Sequence, residues 1–262
     1  MIDLHVDWTD AARPGRRVGH VIEAHRVIGS TNDRARELLA DPLVDGTVVV
    51  ADEQTAGRGR GERTWYSPAD HSLSMSAALR PRIAVADAWQ LALGTALAAS
   101  EACDPVAATG LKWPNDLIGA DGRKVGGILI ETIIEGDRLV GAVIGIGMNV
   151  DWRRAGMPDE IRDAATSLAD LGGGPPIDRV LLLDRLLDRL SDELARLEDG
   201  QTPVSRYRAR CRTLGEHVRV ALGDRTVDGL AVEVDEGGAL VVDSAAGRQR
   251  ITSGEVQQVR GA

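Results

Sequence analysis

Residues 57–61 read Gly-Arg-Gly-Arg-Gly, and they form a loop around which the rest of the chain is arranged. Alternating glycines let the backbone turn with φ > 0 and approach a ligand closely. The arginines between them put fixed charges and forked donors into one short segment. An apolar run at 47–51 delivers the chain into the loop, and Arg63 and Trp65 follow it. The segment is expected to move when empty and to close around something anionic, with Trp65 able to cover a flat ring. An arginine-glycine segment of RNA-binding type, or a plain solvated loop, has the same pattern.

Composition narrows the choice. A net charge of −9 and a pI near 5.1 argue against general nucleic-acid binding, which shows a basic surplus. The chain has 262 residues, 43% of them hydrophobic, enough for one large domain and a small one. Cys103 and Cys211 give neither a disulfide framework nor metal-ligand spacing and read as reduced thiols. No apolar leader and no membrane-spanning run is visible, so a cytoplasmic protein that does not bind membranes is expected. Only two lysines occur, Lys112 and Lys124, and only three asparagines, Asn32, Asn115 and Asn149. Where arginine is so favoured, a retained lysine suggests that a compact point charge is needed.

Along the chain, residues 1–19 read as a polar N-terminal arm and residues 21–28 as a strand. Ser30 or Thr31 caps a helix stopped by Asp41-Pro42. A helix cap needs no ligand, yet hydroxyls and amides there also suit a urea or amide carbonyl. Residues 47–52 form a strand, residues 72–79 a half-buried strand, and residues 84–103 a core helix. Residues 109–118 hold Lys112, Asn115 and Asp116 on a stiff Trp-Pro corner, where Asp116 could equally bond its own backbone. Strands follow at 124–134 and 139–150, with Gly126 and Gly127 marking a close approach to the first. Gly145 and Gly147 make no dinucleotide fingerprint. A short helix near 159–170, a Gly-Pro break at 172–176, an amphipathic helix over 178–198 and a short basic helix over 203–212 come next. From residue 216 on, short apolar runs at ten-residue spacing suggest a small all-β barrel. The divisions expected are 1–19, 20–213 and 214–262.

The histidines form no serine-histidine-acid set, and no metal cluster or Walker lysine is present. An arginine-rich loop, two lysines on neighbouring strands and polar groups at a helix start suit the joining of a carboxylate to the α-phosphate of ATP. That chemistry depends on positioning and on charge stabilisation by Arg, Lys and Mg²⁺, and on excluding water.

The segments GSTN (29–32), GRGRGERTW (57–65), KWPNDL (112–117), KVGGILIE (124–131) and GIGMNV (145–150) together resemble the motif series of biotin protein ligases. The resemblance implies an α+β fold, a class II synthetase-like mixed sheet with flanking helices, followed by a small SH3-like β-barrel. It implies ATP with Mg²⁺, biotin as substrate, a biotinyl-5′-AMP intermediate, and a lysine of a biotin carboxyl carrier protein as acceptor. Carried over by motif, Ser30, Thr31, Asn32, Gln54, Gly57, Arg58, Gly59, Arg60, Lys124, Gly126 and Gly127 bind biotin or its adenylate. Arg60, Arg63, Trp65, Lys112, Asn115 and Asn149 lie on the ATP side, and Arg58, Lys112, Lys124 and Asp116 serve catalysis. No metal ligand is assigned to the protein itself. The chain resembles members without an N-terminal DNA-binding domain, so no DNA binding is expected; it reads as a monomer or weak homodimer. A lipoate–protein ligase of the same fold is the nearest rival. A nucleic-acid module built on the arginine-glycine loop is a rival of another class, and an inactive scaffold a third.

Overall fold

The computed structural model of the chain describes residues 6–61, 63–174 and 176–258. Residues 1–5 of the expected arm, with His5 among them, Glu62 in the arginine-glycine loop, and Pro175 in the Gly-Pro break lie outside the described residues.

The larger of two sheets has seven strands: β1 (Ile22–Ile28), β2 (Thr47–Gln54), β3 (Ser72–Leu79), β4 (Thr109–Lys112), β5 (Asp116–Gly119), β6 (Lys124–Glu135) and β7 (Arg138–Asn149). Their spatial order is β1-β2-β3-β7-β6-β5-β4. β1 and β2 are parallel and the other neighbours antiparallel. A parallel pair needs a crossover connection, and α1 (Thr31–Leu38) provides it. Ser30 caps that helix, its Oγ facing the Asp33 amide at 3.5 Å.

α2 (Gln90–Cys103) is apolar almost all round, as a helix must be when both its sides are covered. It begins at Gln90 rather than at residue 84, because residues 85–87 form a separate 3-10 turn. The expected helix near 159–170 is instead two short ones, α3 (Asp159–Arg162) and α4 (Leu168–Gly172). Between them the backbone pairs with β6: Lys124 N donates to Ala164 O, and Thr166 N to Lys124 O. α5 (Arg179–Glu198) buries Leu182, Leu183, Leu186, Leu187, Leu190, Leu194 and Leu197 and packs on α2; α6 (Val204–Arg210) seats Tyr207.

β3 differs from expectation, being buried along its whole length. Leu73, Met75, Ala77 and Leu79 face the main core, as the alternation requires. The serine face is covered too, by α1 and by the segment carrying Ser67. Residues 6–19 do not project from the body: Trp8, Ala11 and Val18 belong to the same core.

The second sheet holds β8 (His217–Leu222), β9 (Arg225–Val234), β10 (Leu240–Ser244), β11 (Gly247–Ile251) and β12 (Glu255–Gln258), in order β11-β10-β9-β8-β12 and antiparallel throughout. Trp113 joins it to the larger sheet. Its backbone N–H donates to Thr213 Oγ1 at 2.9 Å and its indole Nε1 to Gly238 O at 3.0 Å. Gly238 has φ +76° and lies against the Trp89 ring, leaving no room for a side chain. Among the described residues no helix is long and apolar enough to cross a membrane.

Candidate active site

Two cavities lie side by side and share part of their lining. The first is walled by the start of α1, the end of β2 and the glycine-bearing stretches of β6 and β7. Gln54 Oε1 accepts from the backbone N–H of Thr31 at 2.8 Å and lies 3.1 Å from Thr31 Oγ1. Ser76 Oγ donates to Asn32 Oδ1 at 2.6 Å and sits 2.8 Å from Thr31 Oγ1. Asn32 Nδ2 turns towards Glu131 Oε2 at 3.4 Å. Thr31 and Asn32 are buried, so this network fixes which way each hydroxyl and amide points. It exists because β7 carries glycine opposite: a Cβ on Gly145 would collide with the Asn32 amide.

The arginine-glycine loop folds back on itself. Gly59 N donates to Arg63 O at 2.7 Å, and Trp65 N to Gly57 O at 2.9 Å. Arg58 pairs with Asp33 at 2.8 Å and with Glu131 at 3.1 Å. Arg60 Nη1 donates to Gly254 O at 2.9 Å, just before β12, and Arg63 pairs with Glu255, the first residue of that strand in the second sheet. The Trp65 indole lies against Gly147, where a Cβ would strike it. The Lys124 ammonium stands 5.7 Å from the Trp65 ring centroid.

The second cavity, about 350 Å³, opens beyond Trp65. Arg60, Arg63, Lys112, Asn115, Asp116 and Lys124 line it, with Gly254 and Glu255 on the far side. Gly59, Arg60, Trp65, Asn115 and Lys124 line both cavities. The Trp113-Pro114 corner, whose peptide bond is cis, holds Asn115 against β6. Asn115 Nδ2 donates to Ile128 O and its carbonyl accepts from Ile128 N, each at 2.9 Å. Asp116 Oδ1 lies 2.6 Å from Lys124 Nζ. Burial lowers the Lys112 ammonium below its ordinary value, and the Asp116 charge opposes that shift only in part. A half-buried cation of this kind is relieved by an anionic ligand.

Most of the residues singled out from sequence therefore converge. Gly127 lines the first cavity with Lys124. Three line neither: Gly57, whose missing side chain makes room for the Trp65 carbonyl; Gly126, which lies against Gly147 O; and Asn149, buried with its amide donating to Thr166 O at 3.0 Å. Ser76, Glu131, Gly145, Gly147, Gly254 and Glu255 escaped the sequence reading as site residues. Alternate glycines in β7 and the acid ending KVGGILIE were the visible signals for three of them; Ser76 and the β12 residues offered none. Among the described residues no group of three or more His, Cys, Asp or Glu side chains could hold a metal ion.

The profile of the biotin/lipoate A/B protein ligase family matches residues 24–149, and that of the biotin protein ligase C-terminal domain matches residues 213–257. The bifunctional ligase/repressor BirA of Bacillus subtilis is 35% identical over 247 residues, covering 92% of this chain and 74% of the relative. The biotin–[acetyl-CoA-carboxylase] ligase of Mycobacterium tuberculosis is 36% identical over 241 residues, covering 88% and 86%. A solved structure of the biotin protein ligase of Aquifex aeolicus in complex with biotin and ATP superposes with a TM-score of 0.78 at 32% identity. The match covers 92% of this chain and 99% of that one.

Proposed function

The chain belongs to the biotin protein ligases of the biotin/lipoate A/B protein ligase family, and from that premise we propose a two-step reaction for its paired cavities. In the first step a biotin carboxylate oxygen attacks the α-phosphorus of ATP; a P–O bond forms, the bond to pyrophosphate breaks, and biotinyl-5′-AMP results. In the second step the amine of one carrier lysine attacks the acyl carbon, AMP leaves, and an amide remains. The observation that carries the reading is the shared wall: Lys124, held by Asp116 at 2.6 Å, borders both cavities. A carboxylate in one and a phosphate in the other would meet at that ammonium.

Each residue has a task that its surroundings suit. Ser30, Thr31, Asn32 and Gln54 receive the ureido head, with Ser76 orienting Thr31 and Asn32, and Thr31 in turn holding Gln54. Arg58 and Arg60 cover the adenylate, and Lys124 neutralises the carboxylate and the phosphate as charge builds up. Arg63, Lys112 and Asn115 take the triphosphate side, where Mg²⁺ arrives with ATP, and Trp65 lies against the adenine. Asp116 accepts the proton of the attacking amine. Gly57, Gly126 and Asn149 act through the neighbours they fit.

The test is mass spectrometry of the protein after incubation with biotin and MgATP, with lipoate in parallel. Biotinyl-AMP on the protein supports the reading, lipoyl-AMP alone moves it to the sister activity, and neither product overturns it. In single-turnover transfer to an apo carrier domain, Asp116→Asn is expected to slow amide formation more than adenylation. An unchanged transfer rate would remove Asp116 from the second step.

A further inference from the structure

The arginine-glycine segment, residues 55–71, hangs between the end of β2 and the start of β3. One side chain outside both cavities reaches both of its stems. Arg179 opens α5, and its side chain is 6% exposed. Its Nη1 lies 3.7 Å from Asp52 Oδ1 in β2 and donates to Ser72 O at 3.2 Å; its Nη2 donates to Asp70 Oδ1 at 3.0 Å. Trp8 completes the group: the Arg179 guanidinium lies 5.2 Å over the ring, and Trp8 Nε1 donates to Asp52 Oδ1 at 3.0 Å. Asp70 has φ +66°, a left-handed conformation that aspartate and asparagine adopt more readily than other non-glycine residues. A planar fork can hold these separate acceptors together, whereas an ammonium cannot match its geometry.

We infer that Arg179 is a positioning residue for biotinylation: by tying Asp52 to Asp70 it fixes both stems of the loop, so that Arg58, Arg60 and Trp65 close over the adenylate and keep it. The inference rests on the proposed function. Arg179, Trp8, Asp52 and Asp70 line neither cavity, and Arg179 meets the loop at Asp70, next to the start of β3. Freeing one stem lengthens the segment that has to be ordered on closing and raises the entropy lost there.

The experiment loads the full chain with biotin and MgATP, removes free ligand, and follows retained biotinyl-AMP by mass spectrometry for wild type, Arg179→Gln, Arg179→Lys and Asp70→Asn. Retention by wild type is read first; its absence is a failure of the proposed function and not of this inference. Given retention by wild type, Arg179→Gln is expected to release the adenylate about tenfold faster, short of the ~100-fold that misplacing a reacting group by an ångström can cost. Arg179→Lys is expected to restore part of the retention, and KM for biotin to rise more than kcat falls. Asp70 is exposed and asparagine tolerates its backbone conformation, so Asp70→Asn decides the matter if Arg179→Gln does not fold. Asp70→Asn is expected to speed release in the same sense. A lower melting temperature with wild-type release in the folded variants would overturn the inference and leave Arg179 a purely structural residue.

Discussion

Gly145 and Gly147 carry as much of the site as the charged groups, because their missing side chains are where Asn32 and Trp65 lie. Gly147→Ala should displace the indole. Overpacking a fitted position costs about 1–3 kcal/mol, and a displaced Trp65 no longer lies where it borders both cavities. Isothermal titration should find biotin binding weakened about tenfold or more, with an unchanged circular dichroism spectrum. Lys112 carries a second prediction. Its folded pKa is lowered from 10.5, chiefly by burial. Below the folded value both folded and unfolded chains hold the proton, and the cost of burying the charge is present in full. Above it the folded protein sheds the proton first, and the cost disappears as pH approaches 10.5. In that alkaline window the ligand-free protein should gain stability while the melting-temperature rise caused by ATP shrinks. Lys112→Met should lose the ATP shift at every pH and melt higher than wild type at neutral pH. Scanning fluorimetry across pH reads both.

Elements divide into those that local pattern dictates and those that depend on distant partners. α5 shows its apolar stripe in the sequence, and the structure buries the same leucines. Leu190→Ala in its middle should destabilise the protein by about 2–5 kcal/mol in urea unfolding while leaving KM for biotin unchanged. β3 was legible as a strand from its alternation, but not as a strand covered on both faces: Ser76 finds Asn32 across 44 residues of sequence. The same distance effect explains the site. Ser30, Thr31, Asn32, the arginine-glycine loop, Asn115, Asp116 and Lys124 each announce themselves within a short motif, and they meet. Glu131 meets Arg58 across 73 residues, and Gly254 meets Arg60 across 194, which no local spacing encodes. The helix expected near 159–170 misled for a related reason, since the backbone of residues 164–166 is claimed by Lys124 of β6.

At the scale of the molecule, the two sheets share the site. Trp113 seats the second sheet on the first, and β12 holds the loop through Arg60 and Arg63. Both members of the Arg63–Glu255 pair are more than two-fifths exposed, so it should contribute at most about 1 kcal/mol to stability. Glu255→Gln should therefore hardly alter the urea midpoint. Its effect should appear as a higher KM for ATP, and the difference from wild type should narrow as salt is raised. An unchanged KM at low salt would remove Glu255 from loop closure.

The Arg60–Gly254 contact spans 194 residues, which gives the enzyme a birth order. A ribosome adding about 5–20 residues per second makes the arginine-glycine loop roughly 10–40 seconds before the strand that clasps it. Throughout that interval the nascent polypeptide carries the Ser30-capped helix start but lacks the clasp. The clasped form of the loop arrives late in synthesis, when the second sheet has emerged and docked.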